Sequence, residues 1–370
     1  MQSGERLRAA YEFKKVDHLV RAEFYIWDEA VARWMKEGMT AADIWENNIF
    51  GYDVPPAKTG VSLGLGWCEA PFLPEYEKKT IRCEGEHEII QDMAGRWLKV
   101  FKGRLNGFMP DYIRHPLVTM KDWEEEVKPR LDYADPRRYK DLEKNSAEAK
   151  KLAKEEGRMI TVGFIGGYMY LRSLMGPEET LVAFYDKPEV VRAAMEHWCK
   201  FMDYSLEKIQ KYTEIDTIEM AEDICYKAGL LISPDMMREF LIPYYQQVVN
   251  NARKRQNKRI FYFVDTDGWA EPSVPVYSEV GLDGMGPWEV ASGCDVVEIG
   301  KKYPKLTLFG GIDKRILAKG KEAIDAHLKH IMPFMVKRGG YCPTCDHGVP
   351  NDVSYENYTY FRKRLYEMDH

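Results

Sequence analysis

Three short clusters hold the side chains best suited to moving protons, binding a metal or gripping a charged ligand. They are Glu222-Asp223, Asp265-Thr266-Asp267-Gly268 and Cys342-Pro343-Thr344-Cys345-Asp346-His347. A carboxyl that is buried at a site mouth keeps its proton to higher pH, so Glu222 is a candidate general acid, with Asp223 beside it as a substrate contact. His347 titrates near neutrality and is a candidate acid, base or ligand. Of Asp265 and Asp267, one is expected to reach a ligand while the other caps the next helix, and Asp267, followed by glycine, is favoured. Cys345, His347, Asp265 and Asp267 together have the donor types of a zinc site with one position left open. Trp27, Tyr168, Trp269 and Trp288 are candidates for an aromatic binding wall, with Tyr168 and Trp269 preferred.

These residues need elements to position them. From Met159 onward, short β-prone runs alternate with longer helical stretches, the pattern of βα units on a parallel sheet. The expected strands are Met159–Phe164, Thr217–Met220, Arg259–Val264, Leu282–Met285, Leu306–Phe309 and Gly340–Cys342. Ser233-Pro234 and Ser354 are helix-start signals, and Asp186 with Glu189 has the spacing of a capping box. Pro243 should break the helix that follows Ser233. Each cluster named above falls just after one of these strands. Chemistry gathered at the carboxyl ends of parallel strands is the arrangement of a (β/α)8 barrel. The expectation is therefore one domain over residues 1–370, with regular βα repeats at 159–370. An irregular insertion at 19–135, around the first strand, is expected to cap the carboxyl-terminal face. Asp313 and Lys314 are expected to pair at its rim.

Bulk properties narrow the class. The 370-residue chain is 45% hydrophobic and 30% charged, as a globular protein is. A net charge of −6 argues against nucleic acid as partner. No apolar run approaches a membrane span, and the charged N-terminus lacks a secretory h-region. Seven scattered cysteines suit reduced thiols, and a cytoplasmic location is expected.

Longer motifs bring in a family. The stretch from Glu222 through Ser233-Pro234 to Pro243-Tyr-Tyr245 resembles a signature of the uroporphyrinogen decarboxylase superfamily. So do Gly310-Gly-Ile-Asp-Lys-Arg315, Asp346-His-Gly-Val-Pro-Asn-Asp-Val-Ser-Tyr-Glu-Asn357 and the opening from Glu5 to Asp17. The resemblance implies a barrel of that superfamily and one of two activities. True decarboxylases need cationic side chains after the first strand for a substrate bearing many carboxylates. Here that position reads Phe24-Tyr-Ile-Trp27-Asp28-Glu29, which is aromatic and acidic. The corrinoid-dependent branch moves a methyl group to or from a cobamide, often with zinc. Its His-x-Cys ligand pair stands here as Asp265-Thr-Asp267, while its later cysteine matches Cys345. The resemblance therefore implies a methyltransferase that works with a cobamide on a carrier protein and a small methylated donor such as a methoxylated aromatic. Tetrapyrrole decarboxylation and a non-catalytic tetrapyrrole- or corrinoid-binding barrel are the alternatives.

Overall fold

A computed structural model describes residues 1–53, 61, 63–103 and 111–370. Part of the expected insertion, 54–60, 62 and 104–110, lies outside the described residues. Six strands form one parallel sheet. In chain order after a smaller sheet they are β5 (Thr161–Ile165), β6 (Thr217–Ala221), β9 (Phe261–Asp265), β10 (Gly284–Gly286), β11 (Thr307–Phe309) and β12 (Tyr341–Cys342), adjacent in the order β5-β6-β9-β10-β11-β12, while β7 (Cys225–Tyr226) and β8 (Gly229–Leu230) pair with each other outside this sheet. All six expected strands are present, with bounds that differ by at most two residues. Their β-branched and aromatic content suits strands covered on both faces.

Two extended segments close the ring. Near its start the chain runs beside the end of β12: the Cys342 thiol donates to the Val20 carbonyl, and Ile26 bridges Val349 in parallel. A second segment flanks β5, where the Val61 amide donates to the Thr161 carbonyl and the Ile165 amide to the Leu65 carbonyl. With these two the barrel has eight staves.

The region expected to be an irregular insertion proves partly regular. It contains a four-stranded antiparallel sheet, β1 (Lys79–Glu84), β2 (His87–Gln91), β3 (Trp97–Phe101) and β4 (Asp111–Arg114). Its strands are short and largely exposed, so they lack the strong inside–outside alternation that would announce them. Arg96, after the β2–β3 turn, pairs with Glu69 at 3.0 Å and holds the loop that brings Trp67 and Cys68 to the barrel mouth.

Ser233 and Ser354 cap their helices as expected, through the amides of Met236 and Asn357. The first of these helices ends at Phe240, and a new one, Ile242–Lys254, starts with Pro243 in its first turn. Asp186 is not a cap. It ends the helix Pro177–Asp186, and the long helix Pro188–Gln210 starts behind Lys187 with proline in its first turn. Proline at the first helical position has no N–H to leave unpaired, and its fixed φ suits the first turn.

The N-terminal helix Ser3–Tyr11 plugs the far end of the barrel. Tyr11 stacks on Phe261 with centroids 4.5 Å apart and reaches within 5.7 Å of Phe309. A Cβ on Gly284 would come 2.8 Å from the Tyr11 ring, so glycine there makes room for the plug. The open end is the carboxyl end of the strands.

Candidate functional site

Strand register decides which side chains face the bore. Gly163, Glu219 and Phe263 are in register across β5, β6 and β9; Ile165, Ala221 and Asp265 form the next level up. Side chains two apart on a strand share a face, so Glu219 and Asp265 look into the bore from adjacent levels. Gly163 exposes its backbone, and the Trp67 ring lies across it, 3.3 Å from where a Cβ would stand. A cavity of about 630 Å³ runs between the first two staves and β5, from the helix Ser3–Tyr11 up to Trp67 and Phe24, with Glu219 in its wall.

Carboxylates crowd this end. Burial pushes Glu219 up to about 7, and no neighbouring charge or hydrogen bond among the described residues offsets it. Asp265 is 7% exposed, and its Oδ1 has no hydrogen-bond partner among the described residues. Burial holds its pKa well above the ordinary carboxyl range, and repulsion from Asp267, Asp223 and Glu219 adds to the shift. Asp223, with a left-handed backbone at φ 44°, is raised by burial and by Asp267, while Arg172 at 3.5 Å opposes the rise. Cys68 lies among Asp223, Glu69 and Asp265; burial first, then these charges, push its thiol up to about 11.

At the rim, His347 Nε2 lies 3.4 Å from Asp267 Oδ2, and this bond, more than any other influence, raises the imidazole pKa. Trp27 stacks beside the His347 ring at 6.0 Å, and Phe24 tilts against it at 5.6 Å. Gly348 allows this approach, since a Cβ there would stand 2.6 Å from Trp27 Nε1. Trp269 is anchored by its amide to the Tyr226 carbonyl and is 37% exposed. The structure thus gathers Trp27, Trp269, Asp223, Asp265, Asp267 and His347 at one mouth. Both aspartates of the 265–267 pair reach it, Asp265 from the strand and Asp267 from the loop.

Other expectations need correction. Glu222 does not open on the mouth: it is the next residue after β6, faces the helix layer and is fully buried. Its Oε1 accepts from the Tyr245 hydroxyl and, at 3.1 Å, from that of Tyr277. Burial pushes it up to about 8 despite these bonds. Tyr168 is 1% exposed and Trp288 0%; both are packed into the wall and offer no binding face. The expected zinc set is not assembled. Among the described residues no three His, Cys, Asp or Glu side chains meet in a metal-holding group. Cys345 is fully buried near Glu23, and burial keeps its thiol protonated. These residues do not fit zinc. Asp313 pairs with Arg315, while Lys314 lies 3.5 Å from Glu289 and 3.9 Å from Asp346.

Three residues escaped the sequence reading: Glu219, Trp67 and Arg172. Glu219 alone carried a signal, a charge in the middle of a strand otherwise built for burial.

Against known proteins, the family described as "Uroporphyrinogen decarboxylase (URO-D)" matches residues 106–368. Two curated relatives bear the name uroporphyrinogen decarboxylase. That of Geobacter sulfurreducens is 26% identical over 255 residues, 68% of this chain and 71% of its own length. That of a Hydrogenobaculum species is 22% identical over 235 residues, 60% and 63% respectively, so the chain spans less than two thirds of it. A solved structure, a methyltransferase from Methanosarcina mazei, superposes with a TM-score of 0.61 at 16% identity, covering 99% of both chains. At that identity the likeness speaks for the fold.

Proposed function

The chain belongs to the uroporphyrinogen decarboxylase family, and within it we propose a methyltransferase that passes a methyl group between a small methylated donor and a cobamide presented by a carrier protein. The observation that carries this reading is the acidic composition of the mouth. Asp223, Asp265 and Asp267 stand there, the first two with pKa values raised by burial and by their acidic neighbours, and Glu219, raised by burial, lies one level deeper in the bore. The cations nearby are already engaged, Arg172 with Asp223 and Lys314 beside Glu289 and Asp346. A substrate carrying many carboxylates needs cationic partners, and such a wall offers it acids instead.

Methyl transfer asks for little from the protein. The low-valent cobamide supplies the nucleophile, and the electron pair of the broken bond stays on the donor's oxygen, nitrogen or sulfur. An oxygen leaving group needs a proton, and His347, raised by Asp267 and partly exposed at the rim, is placed to give it. Asp267 orients that ring. Glu222, sealed behind the barrel wall, has no path to a donor and serves as a positioning residue for the start of the helix Gly167–Met175, where its Oε1 accepts from the Tyr168 amide at 3.4 Å. The exposed rings of Phe24, Trp27 and Trp269 suit the flat face of a macrocycle brought by another protein.

The test is an anaerobic spectroscopic assay of the purified protein with cob(I)alamin and a panel of methyl donors, methoxylated aromatics and methylated amines included. Growth of the methylcobalamin band with any donor supports the reading. No change with any donor, together with conversion of uroporphyrinogen to coproporphyrinogen, would sink it.

A further inference from the structure

The level of the bore that holds Glu219 has a composition that methyl transfer in general does not require. On one side of Glu219 the Trp67 ring lies over Gly163; on the other stands Phe263. Both flanking positions are in register with Glu219, so the order across three neighbouring strands is aromatic, carboxylate, aromatic. Asp265 stands one level above Phe263, 7% exposed, with an oxygen that has no hydrogen-bond partner among the described residues. Half-buried Glu219 and buried Asp265 are close enough for the first to raise the pKa of the second. The arginines that line the cavity beside Glu219 pair with other acids, Arg21 with Asp369 and Arg158 with Glu156. A buried acid left unsatisfied is costly.

A compact metal ion is the wrong occupant, because among the described residues these acids do not converge into a ligand set. A neutral aromatic ether would use the rings and leave the carboxylates uncompensated. A methylated ammonium uses both. Its charge is spread over methyl groups that pack against ring faces, and a quaternary nitrogen has no N–H, so it neutralises carboxylates without hydrogen-bonding them.

We propose that the methyl donor is a methylated ammonium cation, held in the bore by Glu219 and Asp265 between the rings of Trp67 and Phe263. The assignment of this cation as donor rests on the methyl-transfer reading; its binding does not. In the reaction the N–CH3 bond breaks with its electron pair left on nitrogen, so a neutral tertiary amine departs. The methyl group is taken by the electron pair of the low-valent cobamide on the carrier. No proton is needed, which agrees with a bore whose acids are set among rings and away from any acceptor.

Binding is measured first, without a cobamide, by titration calorimetry of the full chain with tetramethylammonium, choline and phenyltrimethylammonium. The neutral isostere of choline, 3,3-dimethyl-1-butanol, is the control. At least one cation is expected to bind, with choline at least about tenfold tighter than its isostere if choline is that cation. Glu219→Gln and Trp67→Leu should each weaken the cation about tenfold or more. Removing a buried acid should not lower the melting temperature of Glu219→Gln; if that variant fails to fold, Asp265→Asn replaces it. The proposal is overturned if no cation binds, if choline binds but no tighter than its isostere, or if cation binding survives the variants.

The same cations then enter the cob(I)alamin assay. Binding as described without methylation of cobalamin would leave the site standing and sink the methyl-transfer reading. Methylation from methoxylated aromatics with no cation binding would do the reverse.

Discussion

His347 and Glu222 differ in what their protons do. The imidazolium of His347 is favoured by Asp267, so its pKa lies above the ordinary 6.5. For a donor with an oxygen leaving group the rate should hold below that raised value and fall as pH climbs through it. Asp267→Asn removes the supporting charge and should move this fall to lower pH by about one unit, read from a pH–rate profile. A profile that ignores the substitution would remove His347 from the chemistry. Glu222 acts on stability. Its folded pKa of about 8 stands above the ordinary 4.5, so between these values the folded state keeps a proton that the unfolded state has lost. Its contribution is fully present below about pH 4.5 and drains away as pH rises through about 8, at up to roughly 1.4 kcal/mol per pH unit. Glu222→Gln should flatten that part of the stability curve, measured by denaturant unfolding at several pH values. An unchanged curve would mean the carboxyl is ionised in its tyrosine cage.

At the scale of elements, the strands were legible because each is a short β-prone run that ends in a polar cluster. Stave two was not. Val61 and Leu65 hold β5 through isolated backbone bonds, with no long apolar run to mark a strand. Facing was harder to read than position. The sequence places Glu222 and Asp265 after or within a strand, but only register shows that one looks outward and the other into the bore. Trp67 was invisible for a further reason: it comes to Gly163 from a loop almost a hundred residues earlier in the chain, and no local pattern encodes that approach. Gly166 illustrates how tightly such junctions are built. A Cβ there would stand 1.7 Å from Glu222 Oε2 and 2.8 Å from the Ala221 carbonyl oxygen. Gly166→Ala should therefore cost about 2 kcal/mol or more. Part of that loss should disappear when Glu222 is also changed to Ala, because the two changes share one contact. Strict additivity in a double-mutant cycle would show that the backbone contact alone carries the strain.

For the whole molecule, the mouth is both a ligand entrance and a surface. Around it the rings of Phe24, Tyr25, Trp27, Tyr226 and Trp269 are each at least 36% exposed. They are joined through Tyr25 against Trp27, Trp27 and Phe24 against His347, and the Tyr226–Trp269 backbone bond. Exposed aromatics that are contiguous around a cleft mark a contact site more than scattered ones do. The acids lie deeper, inside this apolar ring. Such an order suits a donor that enters first and a macrocycle on a carrier protein that then covers the opening. The two roles can be separated by experiment. Tyr25 and Tyr226 lie outside the donor site, so Tyr25→Asp combined with Tyr226→Asp should raise the KM for a corrinoid carrier protein about tenfold or more, since a few central aromatic anchors dominate such interfaces. Donor affinity by calorimetry should stay as it was. Equal KM values for parent and variant would place the carrier elsewhere on the barrel, and a parallel loss of donor affinity would show that the rim belongs to the donor site itself.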